Sequence, residues 1–414
     1  MHRICLLFAL LLLTAFLLLT GCATRQSEPT EPPSFHNDDT EPTTLNDNFE
    51  PTTPDDGYEP DITPQAVEGH LEINQALSNR AVYAEDGVTY EPLTSLVARR
   101  STAVICRAVA PTDDAVLTVQ TADGERTYTP DETLSDENNL YFFLDGTEIP
   151  VGEVDFHVAS KYYTYDRTAV FYETRKLRVL LTTAFAHYED FAGEPLSNDT
   201  EADWSPAVAR ILSCFPLADD GLEIEYADPI DCSELDFYDQ ATLQQIKEEL
   251  IRLKSAGDYD FAVAAVPRKF FWNGVGAYAG MAWDDSNVCF VTESELEGIT
   301  LHEIAHFYEI GDEYAGGALN LKINPPAGGT KGTDWYDRSK EVTSEYYDIK
   351  MPITAGLHGN GSLIPEECIP FDVRQRQPLD RAISFMSGGS VDHAWVSSLI
   401  WDHLFEEFRI SDAP

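Results

Sequence analysis

At 414 residues the chain has room for two or three domains of roughly 150 residues, each able to bury its own core, which excludes a miniature disulfide-held scaffold. Its 72 Asp and Glu against 27 Lys and Arg give a formal charge of -45. Without a Lys/Arg cluster to neutralise phosphates, nucleic acid is excluded as a partner, and the negative surplus reads as solvation outside the cell.

The first residues, "MHRICLLFALLLLTAFLLLTGC", carry a basic tip at Arg3 and then an uncharged apolar run from Ile4 to Leu19. That run is short for a spanning helix and predicts an export signal over residues 1–21. Its ending, Leu19, Thr20, Gly21 and Cys22, resembles the lipobox of bacterial lipoproteins. The resemblance implies cleavage before Cys22 and a diacylglyceryl group on its sulfur, so that two acyl chains anchor the protein to the outer face of the bacterial cell membrane. Residues 22–65 are proline, threonine, asparagine and acid with almost nothing to bury. They predict a disordered acidic tether that self-repulsion extends.

From 66 to 174 the pattern is strand-like. In "GEVDFHVAS", Val154, Phe156 and Val158 alternate with Glu153, Asp155 and His157, the period of two of a half-buried strand. Asp123-Gly124 and Asp145-Gly146 stand where hairpins would turn. Several short strands without a convincing helix predict an all-β sandwich, immunoglobulin-like in size, whose residues name no task beyond spacing or substrate positioning.

The grammar changes for residues 175–414. "KLRVLLTTA", "LEIEY", "FAVAAVP" and "NVCFVT" read as strands, with the glycine-rich "NGVGAYAGMAW" as an edge strand or loop. Between them, "SPAVARILSCF" reads as a helix capped by Ser205 with Pro206 in its first turn. "ATLQQIKEELIRLKSAG" reads as a helix with Leu243, Ile246, Leu250 and Leu253 on one stripe. Strand and helix in alternation predict an α/β layer. Five cysteines remain after Cys5 and Cys22; no CxxC occurs, and Cys214 with Cys232 is the candidate disulfide.

The layer leads into "GITLHEIAHFYEIGDEYAGG", residues 298–317. Residues four apart share a helix face, so His302 and His306 can reach one ion, and imidazole suits Zn2+. In HExxH spacing the glutamate, Glu303, sits beside the metal without ligating and serves as general base for a water nucleophile. The bland alternative is a core helix with satisfied histidines. A hydrolytic zinc needs a third ligand and an open position. The acids that follow, Glu309, Asp312 and Glu313, are the candidates, Glu309 because a helix continuing to a break at Gly311 would put it on the face of His302.

HExxH, the turn and "GDEY" resemble the metzincin clan of zinc peptidases, and most of all the immunoglobulin-A-specific metallopeptidase family, whose motif also ends in Asp-Glu-Tyr. The resemblance implies one Zn2+ held by His302, His306 and Asp312, with Glu303 as base, in a metzincin-like α/β domain. It also implies a methionine turn under the zinc, for which "SFM" at Ser384, Phe385 and Met386 is the counterpart, followed by an amphipathic terminal helix with Trp395, Leu399, Ile400 and Leu404. The tyrosine that often follows that turn is missing, leaving Tyr314 and His393 as candidate oxyanion donors. The segment from Ala315 to Arg381 is predicted to fold over the cleft and set specificity. The function implied is a surface zinc endopeptidase acting on proteins or peptides. A binding lipoprotein with a structural metal and a zinc amidase acting on cell-wall peptides are the rival classes.

Overall fold

In the computed structural model, sheets form where alternation and apolar runs predict them. The structure describes residues 69–84, 87–107, 114–189, 195–198, 201–235, 240–267, 279–283, 285–308, 310, 323–324, 341–344, 349–352, 364–380, 382–386 and 394–410. The export signal, Cys22 and the tether therefore lie outside the described residues, as do Glu309, Asp312, Glu313, Tyr314 and His393.

The first strands are β1 (His70–Asn74), β2 (Asn79–Ala84), β3 (Gly87–Pro92), β4 (Leu96–Val97), β5 (Thr102–Arg107), β6 (Val116–Thr121), β7 (Gly124–Tyr128), β8 (Asn139–Leu144), β9 (Gly152–Ala159) and β10 (Thr164–Tyr172). β2 and β3 pair as an antiparallel hairpin of their own; of the remaining strands, one antiparallel sheet has the order β1-β5-β8, and the other, β4-β10-β9-β6-β7, is antiparallel except where β4 joins β10. The two face each other across Ile73, Val104, Phe142, Leu117, Phe156 and Phe171. Val154, Phe156 and Val158 are buried and Glu153 and Asp155 exposed, as the period of two requires. All of "TAVIC" in β5 is buried because its sheet is covered twice, by the second sheet and, on the outside, by Phe371 and Val373 against Ala103, Ile105 and Tyr141.

Asp123-Gly124 turns the β6–β7 hairpin, with Gly124 at φ +131°, where a side chain would be strained. Asp145-Gly146 does not turn a hairpin. Asp145 instead caps a short 3-10 helix, Gly146–Glu148, accepting from Thr147 N while Glu148 reaches back to Asp145 N. That capping box carries the chain from one sheet to the other.

The next elements are β11 (Leu177–Phe185), β12 (His187–Glu189), β13 (Pro195–Ser197), α1 (Ser205–Cys214), β14 (Leu222–Tyr226), β15 (Ile230–Asp231), α2 (Gln240–Ser255), β16 (Phe261–Val266), β17 (Gly280–Trp283), β18 (Val288–Thr292), α3 (Leu296–His306) and, near the end, α4 (Ser398–Phe408). The larger sheet runs β14-β11-β16-β18-β17, parallel apart from the edge strand β17, and β15 also pairs with β11. α1 and α3 pack on one face against Val179, Leu181, Val263 and Val291. α2 covers the other with Ile246 and Leu250 against Leu180, Ala262, Ala264 and Phe290. Cys214 belongs to the first of these faces and Cys232 to the second, and both are free. The sheet between them rules out the disulfide that their spacing suggested.

The face that carries α1, α3 and α4 shares one continuous apolar cluster with the two N-terminal sheets. Every described residue belongs to a single unit, Asp61–Pro414. No helix among the described residues is long and apolar enough to cross a membrane. Of the segment Ala315–Arg381, residues 364–380 lie against the N-terminal sheets: Phe371 N donates to Ala76 O at 3.0 Å and Arg376 pairs with Asp131 at 3.1 Å. Apolar Phe371 and Val373 find an uncovered sheet face there.

Candidate metal centre

α3 carries no proline but includes Gly298, Ile299, Thr300 and Ile304, so packing more than propensity holds it helical; nearly all of it is buried, including Leu296, Gly298 and every residue from Thr300 to Ala305. A helix enclosed all round has no solvent to satisfy polar side chains, so each one it carries needs a partner. His302 is 8 % exposed and Glu303 5 %.

The imidazole of His302 donates from Nδ1 to the Phe385 carbonyl at 3.0 Å, and that of His306 from Nδ1 to the Ile310 carbonyl at 2.8 Å. A carbonyl only accepts, so both Nδ1 atoms carry the proton and both Nε2 atoms present lone pairs in the neutral rings. Those Nε2 atoms converge to 3.2 Å, with the rings edge to face. Two lone pairs at that distance repel unless a cation or a proton stands between them. Two nitrogens bonded to one tetrahedral ion at about 2.05 Å would lie roughly 3.3 Å apart, so the pair fits a shared ion.

α3 ends at His306 and a turn follows through Phe307 and Tyr308. The helix was expected to run on to Gly311; it stops sooner because the chain folds back to bring the Ile310 carbonyl to His306 Nδ1. The helical-face argument for Glu309 is lost with that extra turn. Among the described residues no third His, Cys, Asp or Glu completes a three-donor group with the histidines, and the three carboxylates put forward for that position lie outside those residues.

Glu303 lies against β17. A Cβ on Gly280 would come within 2.6 Å of Glu303 Oε1 and 2.7 Å of its Cγ, so glycine is what lets the carboxylate approach the edge strand. On the sheet side is Cys289, whose thiol is pushed well above its ordinary pKa by burial first and by the Glu303 charge second. It is a neutral packing group.

The surroundings hold the helix at both ends. Arg210 on α1 pairs with Glu297 in the first turn of α3, with Nε to Oε1 at 3.0 Å, and Asn198 bonds Glu293 just before it at 2.7 Å. After the helix, the Tyr308 carbonyl accepts from His403 Nε2 of α4 at 2.7 Å and its hydroxyl meets Arg175 at 3.2 Å. Burial pushes the Tyr308 hydroxyl far above its usual range, leaving it a neutral anchor. Met386 is fully buried, next to the residue whose carbonyl holds His302. Trp395, placed on the terminal helix by its periodicity, precedes α4 and pairs in parallel with Ser384, as Ala394 does with Ile383.

Sequence reasoning missed Gly280, His403 and the Phe385 carbonyl. Only Gly280 left a signal, as a glycine inside a strand pattern. A separate cavity of about 480 Å³ opens at the C-terminal ends of β11 and β14, lined by Thr182, Asp203, Tyr226 and Asp228, and it does not include the histidine pair. No protein-family model and no curated protein matches the chain.

Proposed function

We propose that this chain is a zinc-dependent endopeptidase, held outside the cell by a lipid on Cys22 and a tether over residues 22–65. The observation that carries the reading is the imidazole pair, each ring pinned at Nδ1 so that both Nε2 lone pairs point at one spot 3.2 Å across. His302 and His306 would hold the ion, with Asp312 as third ligand and Glu309 and Glu313 as its rivals. A zinc ion there would polarise a peptide carbonyl and lower the pKa of water toward ~7.

The chain's own residues supply the rest. Glu303, at the next position after His302, accepts a proton from the attacking water at its carboxylate and delivers it to the leaving amine. Among the described residues β17 is the terminal strand of its sheet and lies against Glu303, so an extended peptide added along it would present its carbonyl to that carboxylate. An α/β layer leading into the histidine helix, with a Ser-Phe-Met turn whose Phe385 carbonyl meets His302, supports the resemblance to metzincins and the immunoglobulin-A-specific metallopeptidases. Two facing antiparallel sheets ahead of it agree with an immunoglobulin-like module.

The test is a pair of variants assayed for zinc content and for cleavage of casein and a peptide library. Glu303→Gln should retain zinc and lose at least a hundredfold in cleavage, whereas His302→Ala should lose zinc. A wild type that binds zinc but cleaves nothing would favour the binding lipoprotein, and cleavage restricted to muropeptides would favour the amidase.

A further inference from the structure

Residues 364–380, 382–386 and 394–395 tie the N-terminal sheets to the histidine helix. At one end, Asn74 Nδ2 donates to the Ile369 carbonyl at 2.7 Å, Ser78 N to the Cys368 carbonyl at 3.0 Å, and Phe371 N to the Ala76 carbonyl at 3.0 Å. Phe371 is buried and stacks on Tyr141, with ring centroids 5.8 Å apart. Ile369 sits at φ +53°, a conformation a β-branched residue adopts only when its surroundings over-determine it. At the other end, the Trp395 indole Nε1 donates to the same Ala76 carbonyl, also at 3.0 Å.

Between these anchors runs a chain of hydrogen bonds. Trp395 O accepts from Phe385 N at 2.9 Å, and Phe385 O accepts from His302 Nδ1 at 3.0 Å. Three bonds thus connect a carbonyl of the N-terminal sheets to an imidazole of the histidine pair. The Trp395 ring is buried, with the Arg210 guanidinium 5.5 Å from its centroid, and Arg210 in turn pairs with Glu297 on α3. A buried indole usually donates somewhere. Trp395 differs in that its acceptor is the carbonyl that also anchors Phe371, and its own carbonyl is the next link toward His302.

We infer that the N-terminal sheets are a structural half of the candidate metal centre, and that Trp395 is the positioning residue that joins them to it. The indole bond to Ala76 fixes the 383–386 turn, and that turn holds the Phe385 carbonyl where it sets the tautomer and orientation of His302. The inference rests on the reading of His302 and His306 as ligands. Groups that orient a metal-bound imidazole typically change affinity 10- to 100-fold when lost, and one link further out the lower end applies.

The experiment measures zinc affinity by chelator competition and the visible spectrum of the cobalt-loaded protein, on the full chain. Trp395→Phe keeps the ring and removes the donor. It should weaken zinc about tenfold, about 1.4 kcal/mol, and shift the cobalt bands, while the zinc-free protein keeps its near-UV circular dichroism. By NMR on the wild type, adding zinc should shift the Trp395 indole N–H resonance and slow its exchange, a measurement that decides the matter should Trp395→Phe not fold; a resonance that zinc leaves unmoved overturns the positioning role. A folded variant that binds zinc within twofold of wild type, with an unchanged cobalt spectrum, overturns the positioning role. A wild type that binds no zinc sinks the metal reading itself, a different result from wild type and variant binding alike.

Discussion

Glu303 and Gly280 act as one unit although they come from different elements. The carboxylate is buried against the edge strand because position 280 has no side chain, and the smallest addition there would come within 2.6 Å of Oε1. Backbone atoms of β17 are held by pairing to β18 through Gly280↔Val291, so the side chains of α3 must give: the Glu303 carboxylate and Ile299 Cγ2, which the new Cβ would meet at 2.7 Å. A shift of about an ångström in a proton-transfer group costs on the order of 100-fold in rate. Gly280→Ala is therefore expected to keep both its zinc content and its melting temperature near wild type while kcat falls by 10- to 100-fold. Peptide cleavage and metal analysis of one preparation check this, and equal kcat would show that Glu303 has room the structure does not give it.

At the scale of elements, β11, β16 and β18 were legible because burial on both faces leaves unbroken apolar runs, and α1 and α2 because the first-turn proline of one and the apolar stripe of the other show; the short β12, β13 and β15 leave no such pattern. The histidine helix was legible as a motif, but its end was not: α3 stops where the Ile310 carbonyl folds back on His306, a bond that no periodicity encodes. The second partner of the site was equally hidden, since Phe385 is 83 residues from His302 and contributes only its carbonyl. α4 shows the same limit. Its stripe was visible, yet Asp402 on that helix is only 14 % exposed, bonded by Ser95 Oγ and 4.0 Å from Arg80. Burial, the largest cause, raises its carboxyl from 3.8 to about 6, so the folded chain holds that proton more tightly than the unfolded chain does. The stabilising contribution is complete below about pH 4 and disappears as pH rises through about 6, a change of about 3 kcal/mol. Asp402→Asn has no such proton to lose. Its stability relative to wild type should climb by up to that amount between pH 4 and pH 7 in urea denaturation; parallel curves would mean Asp402 is solvated.

At the scale of the molecule, the sheets before residue 174 and the α/β layer after it share one apolar cluster, and the cation at their junction is Arg100. Its guanidinium donates to Gln75 O on the sandwich side and to Ser213 O, Phe215 O and Leu217 O at the C-terminus of α1, and it lies 5.0 Å from the Trp401 ring centre on α4. Ser213 O is among the orphan carbonyls the end of α1 leaves, and a cation is favoured there by the helix dipole. Burial lowers the Arg100 pKa to about 9, still high enough that the cation persists at neutral pH. One fully buried residue thus satisfies three separate segments, and its loss would strand several acceptors at once. Arg100→Leu should cost about 3–5 kcal/mol, lowering the melting temperature by roughly 5 °C for a unit of this size. Because the core is continuous, wild type is expected to melt in one calorimetric transition with matching van't Hoff enthalpy. Two resolved transitions in the wild type, with Arg100→Leu shifting only one, would mean that the N-terminal sheets fold independently of the α/β layer.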